Sequence, residues 1–394
     1  MKKIFTILTS AVVFVFIFST LSAADYSVIV DAGSTGSRIY LYQNTKDSNG
    51  FPEALQVKLS NNKVTPGIAN YAGSPQNVGA YITPLLQSVE TKLNDIGVNQ
   101  KDVDFYLLAT AGMRVIAPSQ QTALYDELIN YVKTNTEFNV KDVSTISGKY
   151  EGVFNWIAVN SLRNTLTSGD VDANLGILDL GGASLEIAFA TSKPIFNKND
   201  KVNFNYGQTK YILYSHSYLG LGQDMARYQF SDDPSCFLKN YPLPNGLSGT
   251  GNYHVAIRNV SRLVRNHQIG RSSTQLPNLS HFVALSGFVY IMQPLELSPY
   301  FSINDLKKAT MSYSQKTWSQ VQEENPDNPY LYSYYFNSIL IINLLKTMGF
   351  NHHSKLEAAS DIDGKDISWT QGAAIFFIAG NQLESKTFAE IAAA

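Results

Sequence analysis

Tyr26-Ser27-Val28-Ile29-Val30 runs directly into Asp31-Ala32-Gly33-Ser34-Thr35-Gly36-Ser37-Arg38, and Ile39-Tyr40-Leu41-Tyr42 follows. Two apolar, β-branched and aromatic runs around a short loop of glycines and hydroxyls predict a β-hairpin. The loop narrows what the hairpin can serve. Gly33 and Gly36 let backbone amides approach a ligand, Ser34, Thr35 and Ser37 add donors, and Arg38 adds a fixed cationic fork, a set that suits phosphate. Asp31, closing the incoming strand, is placed to hold a hydrated divalent cation beside that phosphate.

The same order recurs downstream. Gly176-Ile177-Leu178-Asp179-Leu180 leads into Gly181-Gly182-Ala183-Ser184, and Leu185-Glu186-Ile187-Ala188-Phe189 follows. Asp31 and Asp179 lie roughly 150 residues apart, one domain's worth of chain. A duplicated α/β fold is expected, its halves facing each other across a cleft, each giving one loop and one carboxylate to a shared phosphate and metal. Between the copies, the apolar run Asp104 to Leu108 enters Ala109-Thr110-Ala111-Gly112-Met113-Arg114. Open α/β sheets place ligand contacts outside the carboxyl ends of their strands, so Thr110 and the amides of Ala111 and Gly112 should complete the pocket. Glu151 opens a helix buried by Val153, Trp156, Ile157 and Val159. Two readings stay open for it: a charge favoured by the helix dipole, or a carboxylate facing the cleft and holding the attacking water.

The 394 residues suffice for two domains, and a formal net charge of −2 leaves no basic footprint for nucleic acid. Cys236 is the only cysteine, so no intramolecular disulfide can form, and it reads as a small buried apolar residue. Six scattered histidines give no zinc pattern, and His352-His353 reads as a solvated turn. Lys2 and Lys3, the apolar run Ile4 to Leu21 and Ser22-Ala23-Ala24 read as a secretory signal peptide (1–24) cleaved after Ala24, in preference to an uncleaved anchor. Helices are expected over Asn77 to Leu93, from an N-cap at Ser119 to Lys133, over Leu306 to Val321, over Tyr330 to Met348 and from Ala373 onward. The Pro-, Gly- and Asn-rich stretch from Asp232 to Gln275 reads as a long surface loop carrying one helix.

Five blocks in this order resemble the nucleoside triphosphate diphosphohydrolases, the apyrases of the actin-like ATPase superfamily, here as a secreted bacterial member. They are Asp31 to Arg38, Ala109 to Arg114, Ser147 to Asn160 with Glu151, Asp179 to Ser184, and Trp369-Thr370-Gln371-Gly372. The resemblance implies two RNase H-like, actin-like domains around an interdomain cleft, domain I over 25–146 and 365–394 and domain II over 147–364. It implies Glu151 as general base assisted by Ser184, with Arg38 and Glu186 also at the reacting centre. Asp31 and Asp179 would hold Mg²⁺ or Ca²⁺ through water. Residues Gly33 to Arg38, Thr110 to Gly112 and Gly181 to Ser184 would surround the terminal phosphates of a nucleoside tri- or diphosphate.

The chain departs from that family at two site positions. Glu186 stands where the family usually has Gln, which puts a second carboxylate near the water. Tyr290 fits one of the two rings that clamp the base, while the other position falls on Leu340. The disulfides of the animal members are absent as well. Competing expectations are an exopolyphosphatase or guanosine pentaphosphate phosphatase, which shares a glutamate at the place of Glu186, a sugar kinase, and a non-catalytic nucleotide-binding protein. The favoured expectation is a secreted or periplasmic monomeric apyrase with no stable membrane span once the signal is removed.

Overall fold

The computed structural model describes residues 25–267, 269 and 276–384, so the expected signal peptide lies outside the described residues. The first half builds one sheet from β1 (Tyr26–Ala32), β2 (Ser37–Lys46), β3 (Pro52–Val57), the two-residue β4 (Lys63–Val64), β5 (Val103–Ala109) and β6 (Asn139–Thr145). Its order is β3-β2-β1-β5-β6, with β4 on the end of β2. The hairpin strands pair antiparallel, whereas β1, β5 and β6 run parallel.

The second half repeats this plan. β7 (Gly176–Leu180), β8 (Ser184–Ala190), β9 (Lys201–Tyr206), β10 (Thr209–Leu219), β11 (Phe282–Ser286), β12 (Tyr300–Ser302) and β13 (Lys355–Ala358) form a sheet ordered β12-β13-β11-β7-β8-β10-β9. Its centre, β10-β8-β7-β11-β13, has the same sequence of antiparallel and parallel pairings as the first sheet.

Helices cover both sheets. In chain order they are α1 (Val78–Ile96), α2 (Ala111–Arg114), α3 (Pro118–Asn135), α4 (Gly148–Leu162), α5 (Gln223–Tyr228), α6 (Tyr253–Asn266), α7 (Gly287–Tyr290), α8 (Ile303–Tyr313), α9 (Trp318–Glu324), α10 (Leu331–Thr347) and α11 (Trp369–Ile378). α1 and α3 bury Ile82, Leu85, Val89, Leu124 and Leu128 against the outer face of the first sheet. α6, α8 and α10 form the core on the far side of the second.

α4 and α11 lie between the sheets. Phe154 and Trp156 of α4 and Ala373 to Phe376 of α11 share one core with Ile29 and Leu108 of the first sheet and Ile177 and Ala188 of the second. α11 returns the chain to the first sheet, where Gln371 Nε2 donates to Ala54 O and Tyr42 meets Thr370.

Several expected elements shift. α3 begins at Pro118 and Ser119 lies inside it, because proline suits the first helical position, where its missing N–H costs nothing. The helix expected over Leu306 to Val321 breaks in two, since Thr317 and Gln320 form a capping box that starts α9 afresh. The stretch from Asp232 to Gln275 is more than a surface loop, for Cys236, Phe237, Leu238 and Leu243 are all buried in the core around α6 and α10. α11 starts at Trp369, four residues before the expected Ala373, and so takes in the whole Trp369 to Gly372 block.

Candidate functional site

The two hairpins close in the same way. Gly33 N–H donates to Gly36 O at 3.0 Å, and Gly181 N–H donates to Ser184 O at 3.0 Å. Register sets Asp31 opposite Arg38 in the first hairpin and Asp179 opposite Glu186 in the second. The duplication thus puts a cation at one position and a carboxylate at its counterpart.

Ser34 is where three blocks meet. A side chain on Gly112 would bring its Cβ to 2.7 Å from Ser34 Cα, so only glycine lets the start of α2 approach the first loop. A Cβ on Gly182 would lie 3.5 Å from Ser34 Oγ, which places the second loop across the cleft from the first. The second loop is held from behind by the turn into α5, where Gln223 N–H donates to Gly181 O and Asp224 N–H to Gly182 O, both at 2.9 Å. Ser37 differs from its loop neighbours. It is wholly buried and its hydroxyl is taken up by Tyr81, which turns it away from the cleft.

Glu151, in the first turn of α4, receives Arg114 Nη2 at 2.6 Å. Arg114 is itself buried at the end of α2, donates from Nε to Ile146 O at 3.1 Å, and brings Nη1 to 3.9 Å from Glu186 Oε1. Ser217 Oγ on β10 donates to the same Glu186 oxygen at 2.7 Å. Gly148 makes room for this group, because a Cβ there would run into Ser217 and Arg114. Burial and the neighbouring Glu151 charge hold the Glu186 carboxyl well above the usual carboxylate range, with Arg114 pulling the other way.

Asp31 and Asp179 behave alike. Burial pushes the Asp31 carboxyl up to about 7 against the pull of Arg38, 4.0 Å away, with Glu151 and Asp179 adding repulsion. Burial likewise raises Asp179 to about 6, opposed by hydrogen bonds from Ser286 and from Asn155, whose Nδ2 lies 2.8 Å from Oδ2. Asp179 Oδ1, Glu186 Oε2, Arg114 Nη1 and Ser147 Oγ are buried without a hydrogen-bond partner. Each such atom left bare costs on the order of 1–3 kcal/mol, which a polar ligand at Asp179 and Glu186 would offset.

The outer end of the cleft carries Tyr290, 57% exposed at the end of α7, and Tyr330, 61% exposed just before α10. Burial raises the Tyr290 phenol, with Asp179 and Tyr330 raising it further and Arg38 pulling the other way. Leu340 is not part of this surface. It is 0% exposed, packed into the second core on the inner face of α10, so it cannot touch a ligand. Tyr330, ten positions earlier, is the exposed aromatic residue at the start of α10. Trp369 stacks on Phe154 with centroids 6.2 Å apart, between the sheets.

Sequence reasoning reached Asp31, Glu151, Asp179, Ser184 and Glu186 but gave Arg114, Asn155, Ser217 and Tyr330 no role. Arg114 ended a block already singled out. Its signal was a lone arginine directly after a Gly-Met turn at a strand end.

Two solved structures share this architecture. A nucleoside triphosphate hydrolase of Neospora caninum aligns over 90% of this chain and 92% of its own with a TM-score of 0.65 at 14% identity. A Ppx/GppA family protein of Aquifex aeolicus aligns over 90% and 98% with a TM-score of 0.54 at 13% identity. The duplicated sheets and the cleft between their loops are those of the actin-like ATPase fold.

The chain belongs to the GDA1/CD39 (nucleoside phosphatase) family, whose model matches residues 19–242 and 247–390. Ectonucleoside triphosphate diphosphohydrolase 8 of Gallus gallus is 30% identical over 441 aligned positions, covering 94% of this chain and 88% of the relative. Nucleoside-triphosphatase ntp-1 of Caenorhabditis elegans is 27% identical, covering 91% and 74%.

Proposed function

We propose that this chain is an apyrase, an enzyme that hydrolyses the terminal phosphate of nucleoside triphosphates and then of the diphosphates so formed, with Glu151 activating the water. The observation that carries this reading is the fixed Glu151 carboxylate: Arg114 holds it at 2.6 Å, beside two glycine-rich loops that converge on Ser34. The family and the names of its relatives support a nucleoside phosphatase.

In this reading the terminal phosphate lies between the amides of Gly33 to Gly36 and of Gly181 to Ser184, with Thr110 and Gly112 closing the side and Arg38 meeting an equatorial oxygen. Water attacks phosphorus from the Glu151 side, the bond to the bridging oxygen breaks toward the leaving diphosphate, and the water's proton passes to Glu151. Ser184 steadies the water. Such a reaction asks mainly for positioning and for stabilised charge on the phosphoryl oxygens, which amides and hydroxyls provide.

Asp31 and Asp179 fit a divalent cation, Mg²⁺ or Ca²⁺. Burial and the Glu151 charge oppose ionisation of both, Asp179 adds to this at Asp31, and Asp179 keeps a bare oxygen, a pair that a hydrated cation would stabilise. When bound, the cation would neutralise charge on the phosphate chain. The base would lie by Tyr290 and Tyr330, with the 25–146 and 365–394 segments as domain I, 147–364 as domain II, and a secreted or periplasmic monomer as the working form.

Phosphate release from ATP, ADP, GTP, UTP and polyphosphate tests the reading, with Mg²⁺, with Ca²⁺ and with chelator. Metal-dependent release from nucleotides and a Glu151→Gln loss of about 10²–10⁴ in kcat are expected. Release from polyphosphate alone would move the chain to the exopolyphosphatase reading. Near-normal turnover in Glu151→Gln would remove Glu151 as the base.

A further inference from the structure

α6 presents two faces. Ala256, Val260 and Val264 are buried against the core, and Arg258, Arg262 and Arg265 stand exposed on the other side at helical spacings of four and three. At 1.5 Å rise per residue the three guanidiniums span about 10 Å of the helix. They border one open groove. α6 and the end of α10 enclose a groove of ≈ 660 Å³ whose lining adds Ser261, Asn343 and Lys346 and contains no carboxylate.

The groove is held in shape. Asn343 Nδ2 donates both to Ile257 O on α6 and to Ile339 O on its own helix, which pins the two helices together. Arg258 Nε donates to His254 O at 3.1 Å, leaving its terminal nitrogens for the groove.

No ion pair among the described residues uses Arg258, Arg262, Arg265, Lys346 or Lys307. Lys346 and Lys307 instead face each other. Burial and the Lys307 charge lower the Lys346 ammonium, and His352 is lowered by burial and by both lysines. Like charges gathered in a concavity repel, and in a chain of net charge −2 nothing in the overall composition demands such a gathering.

We propose that this groove is a second anion-binding site, separate from the cleft, that takes a chain of linked phosphates. Its lining has no aromatic ring on which a nucleobase could stack, which favours a bare phosphate chain over a nucleotide. Its volume falls within the roughly 300–1,000 Å³ of small-molecule pockets. Tyr330 stands at the cleft just before α10 and Lys346 near that helix's other end, so the two sites lie about 25 Å apart along one rigid element.

The test titrates inorganic tripolyphosphate into the full chain by calorimetry, in chelator so that nothing is hydrolysed. Three proteins are compared: the unaltered chain, the double variant Arg262→Glu with Lys346→Glu, and Arg38→Ala in the cleft. Affinity should fall about tenfold or more in the double variant, fall with added salt, and survive in Arg38→Ala. The double variant's kcat on ATP should stay within about twofold, since surface changes away from the cleft leave the fold intact.

Binding lost in Arg38→Ala and kept in the double variant would overturn the proposal by assigning the probe to the cleft. No binding would overturn it outright. Groove-dependent binding of vesicles containing anionic lipid, with none of tripolyphosphate, would overturn it in favour of a membrane surface.

Discussion

Arg114 Nη2 stands 2.6 Å from Glu151 Oε2, and the arginine side chain that makes this contact is buried while the glutamate keeps one edge on the cleft. A carboxylate so held has one orientation open to water. The same guanidinium reaches toward Glu186, so Arg114 is the single buried cation between two acids.

Removing that cation should be costly. Arg114→Met leaves two carboxylates facing each other without a counter-charge, and breaking such a buried pair costs about 3–5 kcal/mol. Thermal unfolding of Arg114→Met should show the loss, and kcat should fall with it because Glu151 is no longer fixed.

Glu186→Gln should act in the opposite sense on stability. The Glu186 carboxyl titrates well above its unfolded range, so the folded state holds the extra proton and loses stability as pH rises through the raised pKa. Glutamine cannot ionise and keeps an oxygen for Ser217. The variant's melting temperature should therefore equal the unaltered chain's at low pH and exceed it at alkaline pH, which a pH series of melting curves would show.

Asp31 and Asp179 give a linked pH and metal dependence. Their folded pKa values, about 7 and about 6, lie above the ordinary carboxylate value of 3.8. Without a cation, the stability they contribute falls as pH rises from about 4 to about 7, because the folded state must release protons it prefers to keep. A divalent cation favours the ionised forms and should displace those protons. The rise in melting temperature on adding Mg²⁺ or Ca²⁺ should be larger at pH 8 than at pH 5, and Asp31→Asn should shrink it.

Tyr330 and Leu340 should separate cleanly. Tyr330→Ala removes an exposed ring beside Tyr290, where an aromatic contact is worth about 0.5–1.5 kcal/mol, so KM for ATP should rise about two- to tenfold with little change in melting temperature. Leu340→Ala empties a core position, costs about 2–5 kcal/mol of stability, and should leave KM unchanged.

Much of the fold was readable along the chain because hairpins are local. The runs Tyr26–Ala32 and Ser37–Lys46 announce two strands and a turn within some twenty residues, and Gly176 to Ala190 repeats the pattern, so a duplicated α/β architecture followed from order alone. The carboxylates at the strand ends were legible for the same reason. Helix ends were less so, as α8 and α9 show: a capping box at Thr317 interrupts an apolar periodicity that continues across it.

The partners of those carboxylates were not legible. Arg114 meets Glu151 across 37 positions, and Ser217 meets Glu186 across 31, contacts that exist only once separate strands and helices have packed. Leu340 shows the converse. The family resemblance set it beside the base, yet a helix turns each successive side chain by about 100°, and packing of α10 carried that face into the core. The sequence by itself determined the repeated loops, their charges and the family they belong to, because these lie in contiguous runs. Tertiary structure decided which groups are buried together and hence which protons are held, because desolvation and pairing depend on neighbours far apart along the chain.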